Sequence, residues 1–167
     1  MITTDRLVLR RPTAEDLAAV VEIHADPETN RFNPLGPADE ARATQDLKSW
    51  LAHWVEHGFG YCAITEHSGH VIGFGGLRTH VFDGEPVLNL YYRFRPSAWG
   101  KGFAPEMARA VVDWARDHRP EPVLIFTKFD NAPAIRVAEK IGFVQLCETV
   151  LEGAPAVVYA AQETIVT

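Results

Sequence analysis

The residues of this chain best suited to hold a charged small molecule are Trp99-Gly100-Lys101-Gly102-Phe103-Ala104, set where a strand pattern gives way to a helix pattern. The first amides of a helix lack intrahelical partners, and the positive end of its dipole favours an anion. Glycine has no Cβ, so a phosphate can approach the backbone closely. The spacing therefore predicts a pyrophosphate cradle, although a Gly-x-Gly pair serves equally well as a plain tight turn. Two nucleotide-binding patterns are disfavoured. No Gly-Lys-Ser/Thr follows a four-residue spacer, and the dinucleotide fingerprint lacks its third glycine and its acidic residue at the end of a next strand.

Two elements must position that loop. Upstream, Leu88-Asn89-Leu90-Tyr91-Tyr92-Arg93-Phe94-Arg95 alternates as a half-buried strand does, and Pro96 ends it. Downstream, Ala104, Met107, Ala108, Val111, Val112 and Ala115 recur at helical spacing, with Glu106, Arg109, Asp113 and Arg116 between them. Around these, Ile2 to Arg11 reads as a first strand. A helix follows with a capping box at Thr13 and Asp16 and an apolar face of Leu17, Val20, Val21 and Ile23. Leu47, Trp50, Leu51, Trp54 and Val55 trace a second helix, closed near Gly58. Strands at 59–66, 70–79 and 86–95 form a meander, and the cradle helix spans 102–118. A continuous apolar run at 123–126 suits an interior strand covered on both faces. A helix at 131–141 and strands at 143–152 and 155–162 close the chain. The order β-α-α-β-β-β-α-β-α-β-β is that of an α+β domain with a mixed sheet, here one domain over residues 1–167.

The cradle segment from Tyr92 to Glu106 resembles the coenzyme A-binding segment of the GNAT N-acetyltransferases, and its Trp-Gly-x-Gly-aromatic-Ala form is similar to the RimJ/RimL-like branch. Thr4-Asp5-Arg6-Leu7-Val8-Leu9-Arg10-Arg11-Pro12, followed by Glu15-Asp16, resembles that branch's opening strand and first helix. Asn131-Ala132-Pro133-Ala134-Ile135-Arg136-Val137-Ala138-Glu139-Lys140-Ile141-Gly142-Phe143 resembles its late Asn-x-x-Ser…Glu-Lys-x-Gly-Phe helix. The three segments span nearly the whole chain in the family's order. The resemblance implies a GNAT-like fold: a central, largely antiparallel mixed sheet of about seven strands with flanking helices. Coenzyme A would enter a wedge between two splayed parallel strands. It further implies acetyl-CoA as cosubstrate without a metal, an amine acceptor, and cofactor contacts from Tyr92, Arg93, Phe94, Trp99, Gly100, Lys101, Gly102, Phe103, Ala104 and Asn131.

Direct attack of an amine on a thioester needs a neutral amine, a donor for the developing oxyanion and a proton for the leaving thiolate. The family's usual groups are missing. Its glutamate in the strand before the cradle falls at Asn89, its tyrosine at Ala138 and its serine at Ala134. Catalytic residues are therefore unassigned, with Asn89 and Tyr91 as candidates beside Arg93 on one strand face, and Glu85 and Asp130 as fallback carboxylates. Asn89 and Tyr91 read equally well as partly exposed strand residues. Asn131 reads as a helix N-cap or, by the resemblance, as a pantetheine contact. Loss of all three usual positions leaves open a non-catalytic acyl-CoA-binding module, and an enzyme for another acyl group is a further alternative. A weaker base favours an α-amine acceptor over a lysine side chain, because far more of it is neutral at pH 7.

The remaining features bound the answer. His53 and His57 have a helical metal spacing, but Trp54 lies between them and no further ligand is evident, so packing explains them better. Trp50, Trp54, Phe32, Phe59 and Tyr61 read as core or as the wall of an acceptor pocket. Gly73-Phe74-Gly75-Gly76 lies inside a strand, which indicates close packing or a bulge. A net charge of −6 argues against a nucleic-acid partner, leaving Arg93, Arg95 and Lys101 as local partners for a phosphate. No apolar run reaches membrane-spanning length, and no leader pattern precedes the first strand, so a cytoplasmic location is expected. Cys62 and Cys147 read as free thiols. A homodimer is left open.

Overall fold

Asp83 and Gly84 both take left-handed backbone conformations, with φ of 52° and 79°. This two-residue turn matches the natural twist of the hairpin it closes. It joins β4 (Val71–Phe82) to β5 (Glu85–Phe94) in an antiparallel register running from Phe82↔Glu85 to Gly73↔Phe94. In this computed structural model, which describes residues 1–164, β3 (Tyr61–Glu66) pairs with the other edge of β4.

Added Cβ atoms at Gly73 and Gly75 would lie 2.7 Å from the Arg93 carbonyl oxygen and 2.5 Å from that of Tyr91. The glycine run thus lets β4 and β5 approach more closely than any side chain would allow.

The expected single strand over residues 2–11 is two strands, β1 (Ile2–Thr3) and β2 (Leu7–Arg10), paired antiparallel. The Thr4 N–H donates to the Leu7 carbonyl at 2.8 Å, and the Leu7 N–H donates to Thr4 Oγ1 at 3.0 Å, closing a turn over Asp5 and Arg6. Apolar alternation on both sides conceals that turn in the sequence. The sheet accordingly has eight strands, in the order β1-β2-β3-β4-β5-β6-β8-β7, where β6 is Val123–Lys128, β7 Phe143–Leu151 and β8 Ala154–Ala161. Only β5 and β6 pair in parallel among the described residues.

Helices α1 (Leu17–Ala25) and α2 (Glu40–His57) cover one face, burying Val20, Ile23, Leu47 and Trp50 against Tyr61, Ala63 and Phe74. A 3-10 turn over Ala14–Asp16 precedes α1. Asp16 accepts the Thr13 N–H at 2.8 Å and both terminal nitrogens of Arg10 at 2.9 and 2.7 Å, which ties the helix start to β2. Asp39 caps α2 by accepting the Arg42 N–H at 2.7 Å, and Gly58 ends it with φ of 76°. Helices α3 (Phe103–His118) and α4 (Ala132–Lys140) cover the opposite face, where Met107, Ala108, Val111 and Ala138 pack on Leu88, Leu90 and Ile125. No helix is long and apolar enough to cross a membrane among the described residues.

Candidate functional site

The parallel junction of β5 and β6 is held by only two register pairs, Leu88↔Val123 and Asn89↔Leu124. Beyond them the strands part, while β5 stays paired to β4 and β6 to β8. The phase of β5 is set by two bonds. The Leu88 N–H donates to Pro122 across the junction at 2.9 Å, and the Arg95 N–H donates to Ile72 at 2.8 Å. Backbone groups of alternate residues point to the same edge, so Tyr92 and Phe94 present theirs to the opening. The Phe94 carbonyl already accepts the Trp99 indole N–H at 3.0 Å. The Tyr92 N–H, the Tyr92 carbonyl and the Phe94 N–H remain along this edge, spaced as an added strand would require. Arg93 is out of phase: its backbone faces β4 opposite Phe74, and its side chain lies on the α1–α2 face. It does not meet the wedge as the sequence reading expected.

At the mouth of the wedge, Gly100 and Gly102 have φ of 73° and 79°, and Gly102 is the residue before α3. A Cβ at Gly102 would sit 3.4 Å from an Arg6 nitrogen in a conformation that L side chains rarely adopt. Within α3 the first helical return bond is the Glu106 N–H to Gly102 at 3.3 Å, and Pro105 has no N–H. The amides of Lys101, Gly102, Phe103 and Ala104 therefore stand at a helix start with no backbone partner among the described residues.

Arg6 braces this loop from the β1–β2 turn. It donates to the Lys101 carbonyl at 2.8 Å, pairs with Glu106 at 2.6 Å and lies 4.5 Å over the Phe103 ring. Burial works against ionisation of Glu106, but hydrogen bonds from Thr4 and Arg6 outweigh it and hold its pKa below the ordinary carboxylate value. Glu106 is thus a strut of the cradle. Of the basic residues expected near a phosphate, only Lys101 belongs to this loop. Arg95 instead pairs with Glu22 at 2.5 Å and donates to the Val71 carbonyl.

Asn131 caps α4 through Oδ1, which accepts the Ala134 N–H at 3.2 Å, while Nδ2 donates to Thr127 Oγ1 at 2.9 Å. It stands at the C-terminal end of β6, on the other side of the wedge from Tyr92. Ala138 is fully buried in the core.

On the opposite face of β5, Asn89, Tyr91 and Arg93 each find a partner. Asn89 donates to the Tyr61 hydroxyl at 3.0 Å, and Arg93 donates to Asn30 Oδ1 at 2.8 Å. Tyr91 Oη lies 2.8 Å from His24 Nε2. His24 Nδ1 is 3.1 Å from the Val20 carbonyl, which can only accept, so Nδ1 carries the proton and the Tyr91 hydroxyl donates to Nε2. Burial first, and the charge of Arg93 second, push the His24 pKa down to about 4. Burial likewise raises the Tyr91 and Tyr61 hydroxyls.

Asp46, half-buried on α2, has its pKa raised by burial against the opposing pull of Arg42, Arg93 and Arg78. The sequence reading missed His24 and Asp46. His24 has a legible signal, falling four residues after Val20 on the apolar face of α1. Asp46 has only its i,i+4 spacing from Arg42 on α2, because the other arginines that act on it, Arg78 and Arg93, come from β4 and β5. Glu85 begins β5 beside the Asp83-Gly84 turn and Asp130 is exposed in the turn before α4; neither joins this cluster.

His53 bonds the Phe59 carbonyl at 2.8 Å and Thr79 Oγ1 at 3.1 Å, its ring 4.3 Å from that of His57. Among the described residues no three His, Cys, Asp or Glu side chains are grouped to hold a metal ion.

The sequence model of an acetyltransferase (GNAT) domain matches residues 6–144. The chain is 28% identical over 146 residues to the uncharacterized protein YkkB of Bacillus subtilis (strain 168), spanning 84% of this chain and 83% of that protein. The acetyltransferase of Agrobacterium tumefaciens str. C58 superposes with a TM-score of 0.81 at 26% identity, over 96% of this chain and 93% of that one. Aminoglycoside acetyltransferase AAC(6')-Ib, solved with coenzyme A and kanamycin, shares the fold at a TM-score of 0.76 and 21% identity, over 95% and 96% of the two chains.

Proposed function

The chain belongs to the GNAT acetyltransferase family, and from that premise we propose that it transfers an acetyl group from acetyl-CoA to the primary amine of a small molecule or protein N-terminus, by direct attack with both substrates bound. The observation that carries this reading is the parting of β5 and β6 after two residue pairs, beside a helix start with unpartnered amides. The pantetheine arm would pair along Tyr92 and Phe94 as an added strand does. Its pyrophosphate would rest on the amides between Lys101 and Ala104, with Gly100, Gly102, Trp99 and Phe103 shaping the loop and Asn131 facing the arm from β6.

The thioester supplies an activated acyl group. The protein supplies alignment of the two reactants, and a backbone N–H of the open edge for the charge that develops on the carbonyl oxygen. Strand β5 itself carries no carboxylate across Asn89, Tyr91 and Arg93, where the family's glutamate would fall, to strip a proton from a strongly basic amine. An α-amine with a pKa near 7.7 is neutral in roughly one molecule of six at pH 7, a lysine side chain in about one of a thousand. The reading therefore favours α-amines. The three matching segments support placement in the RimJ/RimL-like branch. Residues 1–167 are read as one cytoplasmic domain whose Cys62 and Cys147 stay reduced; both are free in the structure.

The experiment is calorimetry on Gly102→Val. A β-branched side chain at φ of 79° strains the loop and crowds the phosphates, so affinity for acetyl-CoA falls about tenfold or more. An unchanged affinity in a folded variant removes the cradle. The alanines at 134 and 138 and the asparagine at 89 favour a second reading, a module that binds acyl-CoA without turnover. Release of free thiol with any amine discards it, and mass spectrometry of bound esters distinguishes acetyl from another acyl group.

A further inference from the structure

The cradle lies past the Phe94 end of β5, so a pantetheine arm anchored there runs back along Phe94 and Tyr92 toward the closed end of the wedge. Its thioester comes to rest near the last register pair, Asn89↔Leu124. On the α3–α4 face that end is filled, because Leu88, Leu90, Ile125 and Ala138 are all buried in the core. An acceptor must therefore come from the opposite face, where Val87, Asn89 and Tyr91 stand by the strand's period of two. There Asn89 donates to the Tyr61 hydroxyl through Nδ2 at 3.0 Å, and its Oδ1 has no partner among the described residues. No buried side-chain oxygen or nitrogen lacks a partner among the described residues, so Oδ1 of this half-buried residue is open to solvent.

The apolar packing of α1 and α2 on this face reaches β5 only at Tyr91. On the β6 side of Asn89 lies another apolar cluster, Val87, Leu124, Val158 and Ala160, which contains no helical residue. Strand side chains screen it instead: Phe82, Phe126 and Cys147, all half-buried. The Phe126 ring lies 5.3 Å from that of Phe82 and 5.3 Å from that of the exposed His80, nearly perpendicular to both. The cluster is continuous with the closed end of the wedge. Leu124 is both a member of it and the register partner of Asn89, and Val87 precedes Asn89 by two residues on one face of β5. It holds no carboxylate, lysine or arginine.

We propose that Phe82, Phe126 and His80, beside the closed end of the wedge, form the acceptor subsite for an α-amine whose own side group is aromatic or bulky and apolar. The proposal rests on the acetyl-transfer reading and narrows its acceptor. A ring laid against these rings buries apolar surface and gains edge-to-face contacts besides. Asn89 Oδ1 is the polar end of the same surface and accepts one N–H of the amine. A carboxamide carries no charge to hold an ammonium, and an apolar surface penalises one, so the neutral amine that attacks a thioester is also the form that binds.

The test compares kcat/KM for phenylalaninamide, leucinamide and glycinamide at about pH 9 and saturating acetyl-CoA, with acetyl-CoA affinity measured separately by calorimetry. At that pH the α-amine of each is mostly neutral, so basicity does not separate them. Phenylalaninamide is expected to exceed glycinamide by about tenfold or more, with leucinamide between them. Phe126→Ala lowers the value for phenylalaninamide far more than that for glycinamide, whereas loss of a merely structural ring lowers all three by the same factor. His80→Ala, at an exposed position, acts in the same direction to a smaller degree and serves if Phe126→Ala does not fold. Light scattering tests the other occupant of this face. A dimer that Phe126→Ala dissociates puts a second copy there and overturns the subsite. Equal values for the three amides, or no turnover of any of them by a protein that binds acetyl-CoA, overturn it too. Absence of acetyl-CoA binding overturns the transfer reading beneath it.

Discussion

At pH 7 the ring of His24 donates Nδ1–H to the Val20 carbonyl and accepts the Tyr91 hydroxyl on Nε2, and it is only 3% exposed. Its pKa of about 4 lies below the value of about 6.5 expected in the unfolded chain. Between those two values the unfolded state binds the proton and the folded state does not. Stability is therefore full above about pH 6.5 and declines as pH falls toward 4, by about 3 kcal/mol over the window. Urea denaturation at pH 7 and 4.5 measures this. His24→Gln keeps an acceptor for Tyr91 and does not titrate, so its stability changes much less between the two pH values. An equal loss in both proteins would assign the effect to other groups. At this scale the sequence reveals residue types and helical spacing, which suffice for Asn131 as a cap. It does not reveal charge environments assembled from distant strands, which is why Asn89 and Tyr91 stand out in the chain while Asp46 and Arg78 do not.

Gly75 shows what a single element contributes. Its absent Cβ leaves room for the Tyr91 carbonyl and the Tyr92 Cα, at 2.5 and 2.7 Å from where that atom would be. Both contacts are backbone, so Gly75→Ala cannot be relieved by a rotamer change; β4 and β5 must separate. A destabilisation of about 3 kcal/mol is expected by chemical denaturation, at the upper end for overpacking. A folded variant should also bind acetyl-CoA more weakly, because Tyr92 belongs to the displaced segment. Wild-type stability in this variant would show that the two strands have slack. The glycine run is legible as close packing because glycine inside a strand has few other uses. The β1–β2 turn is not legible, since Thr4 closes it with its own side chain and no glycine or proline marks it.

The whole molecule is an eight-stranded sheet in two parts, β1–β5 and β6–β8, joined by two residue pairs and by the packing of α3. A ligand bridging β5, the cradle and β6 binds only the assembled form. At a concentration one hundred times its dissociation constant, acetyl-CoA adds about 2.7 kcal/mol. The melting temperature should then rise by roughly 5–10 °C for a chain of this length. A flat melting curve under saturating acetyl-CoA would contradict the wedge. Element order is readable in the chain because helical and strand periods differ. The splay is not, because nothing in the composition of β5 or β6 says where their pairing stops; it enters the sequence reading only through resemblance. The junction also has a kinetic meaning. Strands β3, β4 and β5 find one another across short turns, whereas β6 must wait for the long excursion through α3. The seam that closes late, held by two residue pairs, is the one the cosubstrate would span. A chain stalled before that step would hold every residue of the site on two folded pieces and still have nowhere for coenzyme A to lie.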